Sequence, residues 1–208
     1  MPLVASSFAE LLAGLGRALR SLGCRWYLFG AQAAIVHGAE RLTNDVDVTV
    51  DLGEVPLKSL VRALRASGFV LRVKNPREFV ASTRVLPARH RGSGIDVDIV
   101  LAGPGPEQRF LERAVRRRIE GVWIPVASVE DVVAMKVLSG RPKDAEDVKE
   151  IVAAQGPRLD VGRVRATLES FEAALDRRDL LAAFEALAET VGKRRSRAAR
   201  GISPRRRR

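Results

Sequence analysis

Two short segments alternate apolar and acidic residues so strictly that only one kind of backbone suits them. Residues 44–52 (NDVDVTVDL) set Val46, Val48 and Val50 against Asp45, Asp47, Thr49 and Asp51. Residues 94–101 (GIDVDIVL) set Ile95, Val97 and Ile99 against Asp96 and Asp98. A period of two belongs to a strand, whose successive side chains leave opposite faces. A helix would scatter both sets around its axis. Each segment is therefore expected as a strand with one buried aliphatic face and one face lined by carboxylates.

The rest of the chain supplies the layers that cover the aliphatic faces. Ser6 and Ser7 precede Phe8, Leu11, Leu12, Leu15, Ala18, Leu19 and Leu22, an amphipathic helix ended by Gly23. Residues 25–29 (RWYLF) predict a strand broken at Gly30, and AQAAIVHG a small helix closing at Gly38. A helix over 56–66, strands near 69–73 and 83–89, and a short helix over 106–114 follow, while 75–83 has no defined pattern. Two strands flank Gly121. Ser128-Val-Glu-Asp131 starts a capped helix to Leu138, and a second covers about 143–154. Val161, Val164, Leu168, Phe171 and Leu175 form one helical stripe, and Leu180, Phe184, Leu187 and Val191 another. The expected fold class is α/β (α+β in layout): a mixed, twisted sheet with helices over residues 1–156, then a helical hairpin over 157–192. Trp26 and Trp123, on expected strands, are assigned to the core, Cys24 to a small buried apolar position and His37 to a structural one; His90 is given no role.

Composition narrows the class. No apolar run approaches the roughly 20 residues of a membrane span. The N-terminus lacks a basic segment followed by an apolar one, since Glu10 interrupts it, so no signal peptide is expected and the protein reads as soluble and cytoplasmic. A single cysteine excludes an intrachain disulfide and argues against a structural zinc site. The net charge is +11, but nine of the 36 Lys and Arg fall in residues 193–208, where there is no acid. The remaining 27 basic groups face 25 acidic ones, so the body is nearly neutral. The tail lacks apolar periodicity and is expected to be disordered, either as a solubilising segment or as a tether for phosphates.

Asp45 and Asp47, two residues apart on a strand, project from one face about 7 Å apart. Such carboxylates repel one another unless a cation lies between them, and a hard ion such as Mg²⁺ or Mn²⁺ suits oxygen donors. Asp98, with Asp96 two positions earlier, adds a third carboxylate if the two strands are neighbours. Gly30-Ala31 sits at a strand-to-helix turn, where free N–H groups can cradle phosphates. Arg41 and Thr43 continue the alternation of Asp45 and Asp47. Read together, FGAQAAIVHGAERLTNDVDV resembles the signature of polymerase-β-type nucleotidyltransferases, and its R-x-T-x-D-x-D form looks most like the AbiEii group with its MenT-type toxins. Val97-Asp98-Ile99 matches the setting of that family's third carboxylate, which ranks Asp98 above Asp96. MKVLSGRPKDAEDV resembles the family's Lys … Lys-Asp-x-x-Asp segment and carries it onto Lys136, Lys143, Asp144 and Asp147, with Arg141 between. Many superfamily members have Gly-Gly or Gly-Ser where this chain has Gly30-Ala31.

The resemblance implies transfer of a nucleoside monophosphate from an NTP to an acceptor hydroxyl, with release of pyrophosphate. Asp45, Asp47 and Asp98 would be the metal ligands, with Lys136 beside them in catalysis. Gly30, Ala31, Arg41, Thr43, Lys143, Asp144 and Asp147 would bind the nucleotide or shape its site. The acceptor implied is RNA, such as a tRNA 3′ end, in a toxin with a cognate antitoxin protein. Nucleotidylation of a small molecule or protein hydroxyl is the alternative enzyme reading, and a catalytically inactive nucleic-acid-binding module the alternative outside enzymes.

Overall fold

The computed structural model describes residues 6–201. They are α/β, and they divide into two compact units: residues 6–33 with 41–128, and residues 34–40 with 129–201. The first unit ends at Ser128 and the second resumes at Val129.

The first unit holds a seven-stranded mixed sheet. Its strands are β1 (Arg25–Phe29), β2 (Asp45–Asp51), β3 (Phe69–Leu71), β4 (Val85–His90), β5 (Asp96–Leu101), β6 (Val115–Ile119) and β7 (Val122–Val126), in the order β3-β4-β5-β2-β1-β7-β6. β2 pairs antiparallel with β1 and parallel with β5, and β1 pairs parallel with β7. Val46, Val48, Val50, Val97 and Ile99 are fully buried, as the alternation requires. Burying each such side chain contributes about 1.5–3 kcal/mol relative to leaving it in water.

Helix α1 (Ser7–Ser21) begins where the Ser6 Oγ accepts the Ala9 N–H at 3.1 Å, a cap for an otherwise unpartnered donor. It buries Leu11, Leu12, Leu15 and Leu19 and packs on α3 (Leu57–Ala66) and β7. The stretch 75–83, without pattern in the sequence, forms α4 (Pro76–Thr83). Pro76 suits a first helical position, where a missing N–H costs nothing, and the helix buries no side chain, so no apolar stripe announces it. Helix α5 (Pro106–Arg113) places Phe110 edge-on to Tyr27, with ring centroids 6.4 Å apart.

The two tryptophans part company. Trp26 is buried as expected, whereas Trp123, also assigned to the core, is 53% exposed. On β7 the buried positions are Ile124 and Val126, and Trp123 lies on the alternate face. Cys24 is half-buried.

Helix α2 (Gly30–Val36) begins in the first unit and ends in the second. The second unit is otherwise helical: α6 (Val129–Ser139), α7 (Pro142–Gln155), α8 (Val161–Leu175) and α9 (Leu180–Gly201). α6 buries residues on nearly every side and packs against α7, α8 and α9, which explains why the boundary lies before it. The expected pair of C-terminal helices forms, but α9 continues to Gly201 and takes in the first part of the basic segment expected to be disordered. Leu180, Phe184 and Val191 anchor its packed turns, and the Arg, Lys and Ala that follow are good helix formers able to propagate it. The remainder of the expected tail, 202–208, lies outside the described residues. No helix among the described residues is long and apolar enough to cross a membrane.

Candidate active site

The parallel register of β2 and β5 pairs Asp45 with Asp96 and Asp47 with Asp98. Four carboxylates thus stand two by two on one face of adjacent strands, which lie about 4.8 Å apart. The neighbourhood that the sequence reading made conditional is met.

β1 brings the strand-to-helix turn to the same place, because Phe29 pairs with Asp47. Gly30 opens α2 at φ +66°, and a Cβ there would lie 2.8 Å from the Asp47 carboxyl carbon. Glycine is required twice over, for its left-handed backbone and because the Asp47 side chain fills the space. Ala31 is buried behind it, and the first N–H groups of α2 have no acceptor within the helix. Thr43 Oγ1 donates to Asp45 Oδ1, and half-buried Arg41 stands two residues before Thr43. All the sequence-derived candidates of the first unit, namely Gly30, Ala31, Arg41, Thr43, Asp45, Asp47 and Asp98, lie on β2, β5, the turn into α2 or the approach to β2.

Two arginines not foreseen from the sequence complete this face. Arg72, just after β3, donates to Asp98 Oδ1 through one guanidinium nitrogen and lies 3.3 Å from Asp96 Oδ2 through the other. Its Nε also donates to the Ala88 carbonyl at 3.2 Å. Arg89 on β4 takes both oxygens of Asp96, at 2.5 and 3.2 Å. The Arg89 hydrogen bond, with Arg72 nearby, holds the Asp96 carboxyl below its usual range. Asp96 is therefore committed to two guanidinium groups, while Asp98 meets one. The antiparallel register of β4 and β5 sets Arg89 opposite Asp96.

The donor set fits a hard divalent cation, since Asp45, Asp47 and Asp98 offer only carboxylate oxygens on one face. As they stand, no three acidic, histidine or cysteine side chains among the described residues converge as a metal cage. Asp98 is turned to Arg72 and Asp45 to Thr43. Ligation would require these carboxylates to exchange those partners.

The remaining candidates lie in the second unit, and three of them, Lys136, Asp144 and Asp147, form a cluster of their own. Lys136 on α6 donates to Asp144 Oδ1 and Asp147 Oδ2 of α7, each at 2.6 Å. Ser139 Oγ and Arg141 Nε donate to the other Asp144 oxygen at 2.6 and 2.5 Å. Lys136, Asp144 and Asp147 are 6%, 0% and 3% exposed. Burial works against an ionised Asp144, yet the hydrogen bonds from Lys136, Ser139 and Arg141 outweigh it and lower its pKa to about 2. Lys143 is exposed and stands outside the cluster. His37 is buried, and its carbonyl accepts from Gln155 Nε2 at 2.8 Å.

The profile of a family described as nucleotidyltransferase of unknown function (DUF6036) matches residues 19–191. The comparison with curated proteins gave no match. Among solved structures, an antigenic nucleotidyltransferase-like protein from Paracoccidioides brasiliensis shares 20% identity over 88% of this chain and 94% of its own, with a TM-score of 0.51. JHP933 from Helicobacter pylori shares 12% identity over 96% of this chain and 97% of its own, at a TM-score of 0.49. The antibiotic-resistance factor ANT(2'')-Ia shares 12% identity over 95% and 98%, at 0.48.

Proposed function

The chain belongs to that nucleotidyltransferase family and is a transferase enzyme, and from this premise we propose that the β2–β5 face moves a nucleoside monophosphate from an NTP to a hydroxyl of RNA, as a tRNA 3′ end offers, in a toxin held by a cognate antitoxin. The observation that carries the site is the register of Asp47 with Asp98, next to a glycine that leaves room for Asp47 alone.

Asp45, Asp47 and Asp98 would hold Mg²⁺ or Mn²⁺, which, when bound, screens the triphosphate and lowers the charge that builds up in transfer. The N–H groups at the start of α2 suit phosphate oxygens. Arg41 and Thr43 border the same carboxylates, and Arg72 would supply a further positive charge beside them. Asp98 would also help to activate the attacking hydroxyl. In the second unit, Asp144 and Asp147 hold Lys136 and shape its helix pair, so their contribution is positioning. The family likeness assigns exposed Lys143 to nucleotide binding. The acceptor reading is supported by the likeness of R-x-T-x-D-x-D to AbiEii toxins and by the basic segment after Val191.

Incubation with each labelled NTP, Mg²⁺ or Mn²⁺ and total RNA tests the proposal. Labelled RNA is expected with the intact protein, and Asp47→Asn is expected to abolish labelling while leaving the circular dichroism spectrum and melting temperature unchanged. Labelling of protein or of small hydroxyl compounds, with none of RNA, would transfer the reading to the other acceptors.

A further inference from the structure

The β6–β7 hairpin carries an aromatic ring that the packing does not use. Trp123 is 53% exposed, although the indole is among the largest apolar surfaces a chain can bury. Trp123 pairs in register with Arg118, so the two side chains leave the same face of the hairpin. Arg116, two residues earlier, shares that face, and its guanidinium carbon lies 5.8 Å from the centre of the indole. Arg117 between them is also exposed. No ion pair neutralises Arg116, Arg117 or Arg118 among the described residues. Their only described side-chain hydrogen bonds go to backbone carbonyls: Arg117 to Arg116 and Arg118 to Gly121. Among the described residues, β6 is a terminal strand of the sheet.

Such an edge invites pairing with a second copy, but three consecutive arginines oppose it, since strand addition would set like charges side by side. An acidic peptide would satisfy the guanidinium groups and leave the indole idle. A single-stranded nucleic acid uses both, because every base has a π-face and every nucleotide a phosphate. We propose that this face binds single-stranded RNA, with a base stacked on Trp123 and flanking phosphates held by Arg116 and Arg118. The proposal rests on the RNA reading of the acceptor and gives it a docking surface on the sheet that carries the carboxylates.

Full-length protein is titrated with a uridine oligonucleotide in the absence of NTP, so that binding is read without transfer. Affinities of the parent and of every variant are read from the anisotropy of a dye-labelled oligonucleotide, and tryptophan emission reports contact at Trp123 in the parent, since Trp26 is buried and serves as the unquenched background. Saturable quenching is expected. Trp123→Ala is expected to weaken binding about tenfold, in line with the loss of one stacked base, whereas Trp123→Phe keeps most of the affinity. Removing both guanidinium groups (Arg116→Ser with Arg118→Ser) is expected to reduce the slope of log affinity against log salt by about 1.4. Binding by Trp123→Ala within twofold of the parent would overturn the proposal. So would equal quenching by polyglutamate or by anionic lipid vesicles. Incorporation of nucleotide into RNA is scored on the same preparations. Quenching without incorporation would remove the transfer reading and leave this one standing. Incorporation at limiting RNA that survives Trp123→Ala would do the opposite.

Discussion

On the β2–β5 face, Asp96 and Asp98 meet Arg72 and Arg89 with 28% and 42% of their own side chains in solvent. In the helical unit, Asp144 and Asp147 close on Lys136 with almost nothing exposed. The residue types are the same, and the dielectric surroundings are not. An exposed ion pair contributes about 0–1 kcal/mol, so its members can exchange partners at little cost. In a buried triad, loss of one member strands the others without water, at about 3–5 kcal/mol. The first arrangement suits groups that must let go of one cation to take another. The second suits groups that fix the angle between two helices.

Substitutions can break that comparison. Asp98→Asn is expected to lower nucleotide transfer by about 10²–10³-fold or more, the scale of a lost charge-stabilising group, with no change in unfolding midpoint. Asp96→Asn, which only loosens Arg72 and Arg89, is expected to keep a good part of the activity; the reverse ranking would show that the acting carboxylate is two residues earlier. Next in size, Lys136→Ala is expected to cost about 3–5 kcal/mol of stability in urea unfolding, because Asp144 and Asp147 lose their shared cation. A stable Lys136→Ala protein that no longer transfers nucleotide would instead put Lys136 in the chemistry and erase the contrast. The smallest effect sharpens it. The Asp144 pKa is lowered from 3.8 to about 2, so its stabilising contribution is complete above pH 3.8 and declines as the pH falls through about 2. The loss amounts to about 2 kcal/mol, which Asp144→Asn is expected to remove from the acid-unfolding curve.

Much of the sheet was legible because β2 and β5 bury one face and wet the other, which stamps a period of two on the sequence. α4 was not, since a helix that buries nothing leaves no stripe. Trp123 was misread for a related reason: alternation reports that a strand has two faces, but not that the covering layer reaches a hairpin at the sheet's end. Among the candidate residues, Asp45, Asp47 and Asp98 could be named from spacing and family likeness. Their alignment depended on which strands pair, and that is a property of the whole chain. Arg72 and Arg89 come to Asp96 and Asp98 through the register of β3, β4 and β5, so no local spacing could reveal them.

The contact between Gly30 and Asp47 also bears on how this site tolerates variation. Every replacement reachable from a glycine codon adds at least a Cβ, and here that atom would meet the Asp47 carboxylate. Position 30 thus has no conservative exchange, although its residue has no functional group to lose. In a saturation library it would score like a catalytic position. Compensation from a second site would have to move Asp47, the carboxylate that makes the turn worth keeping. The dependence runs one way: Asp47 in this position requires the glycine, whereas a smaller residue at 47 would relieve the clash and leave only the positive φ to favour glycine at 30.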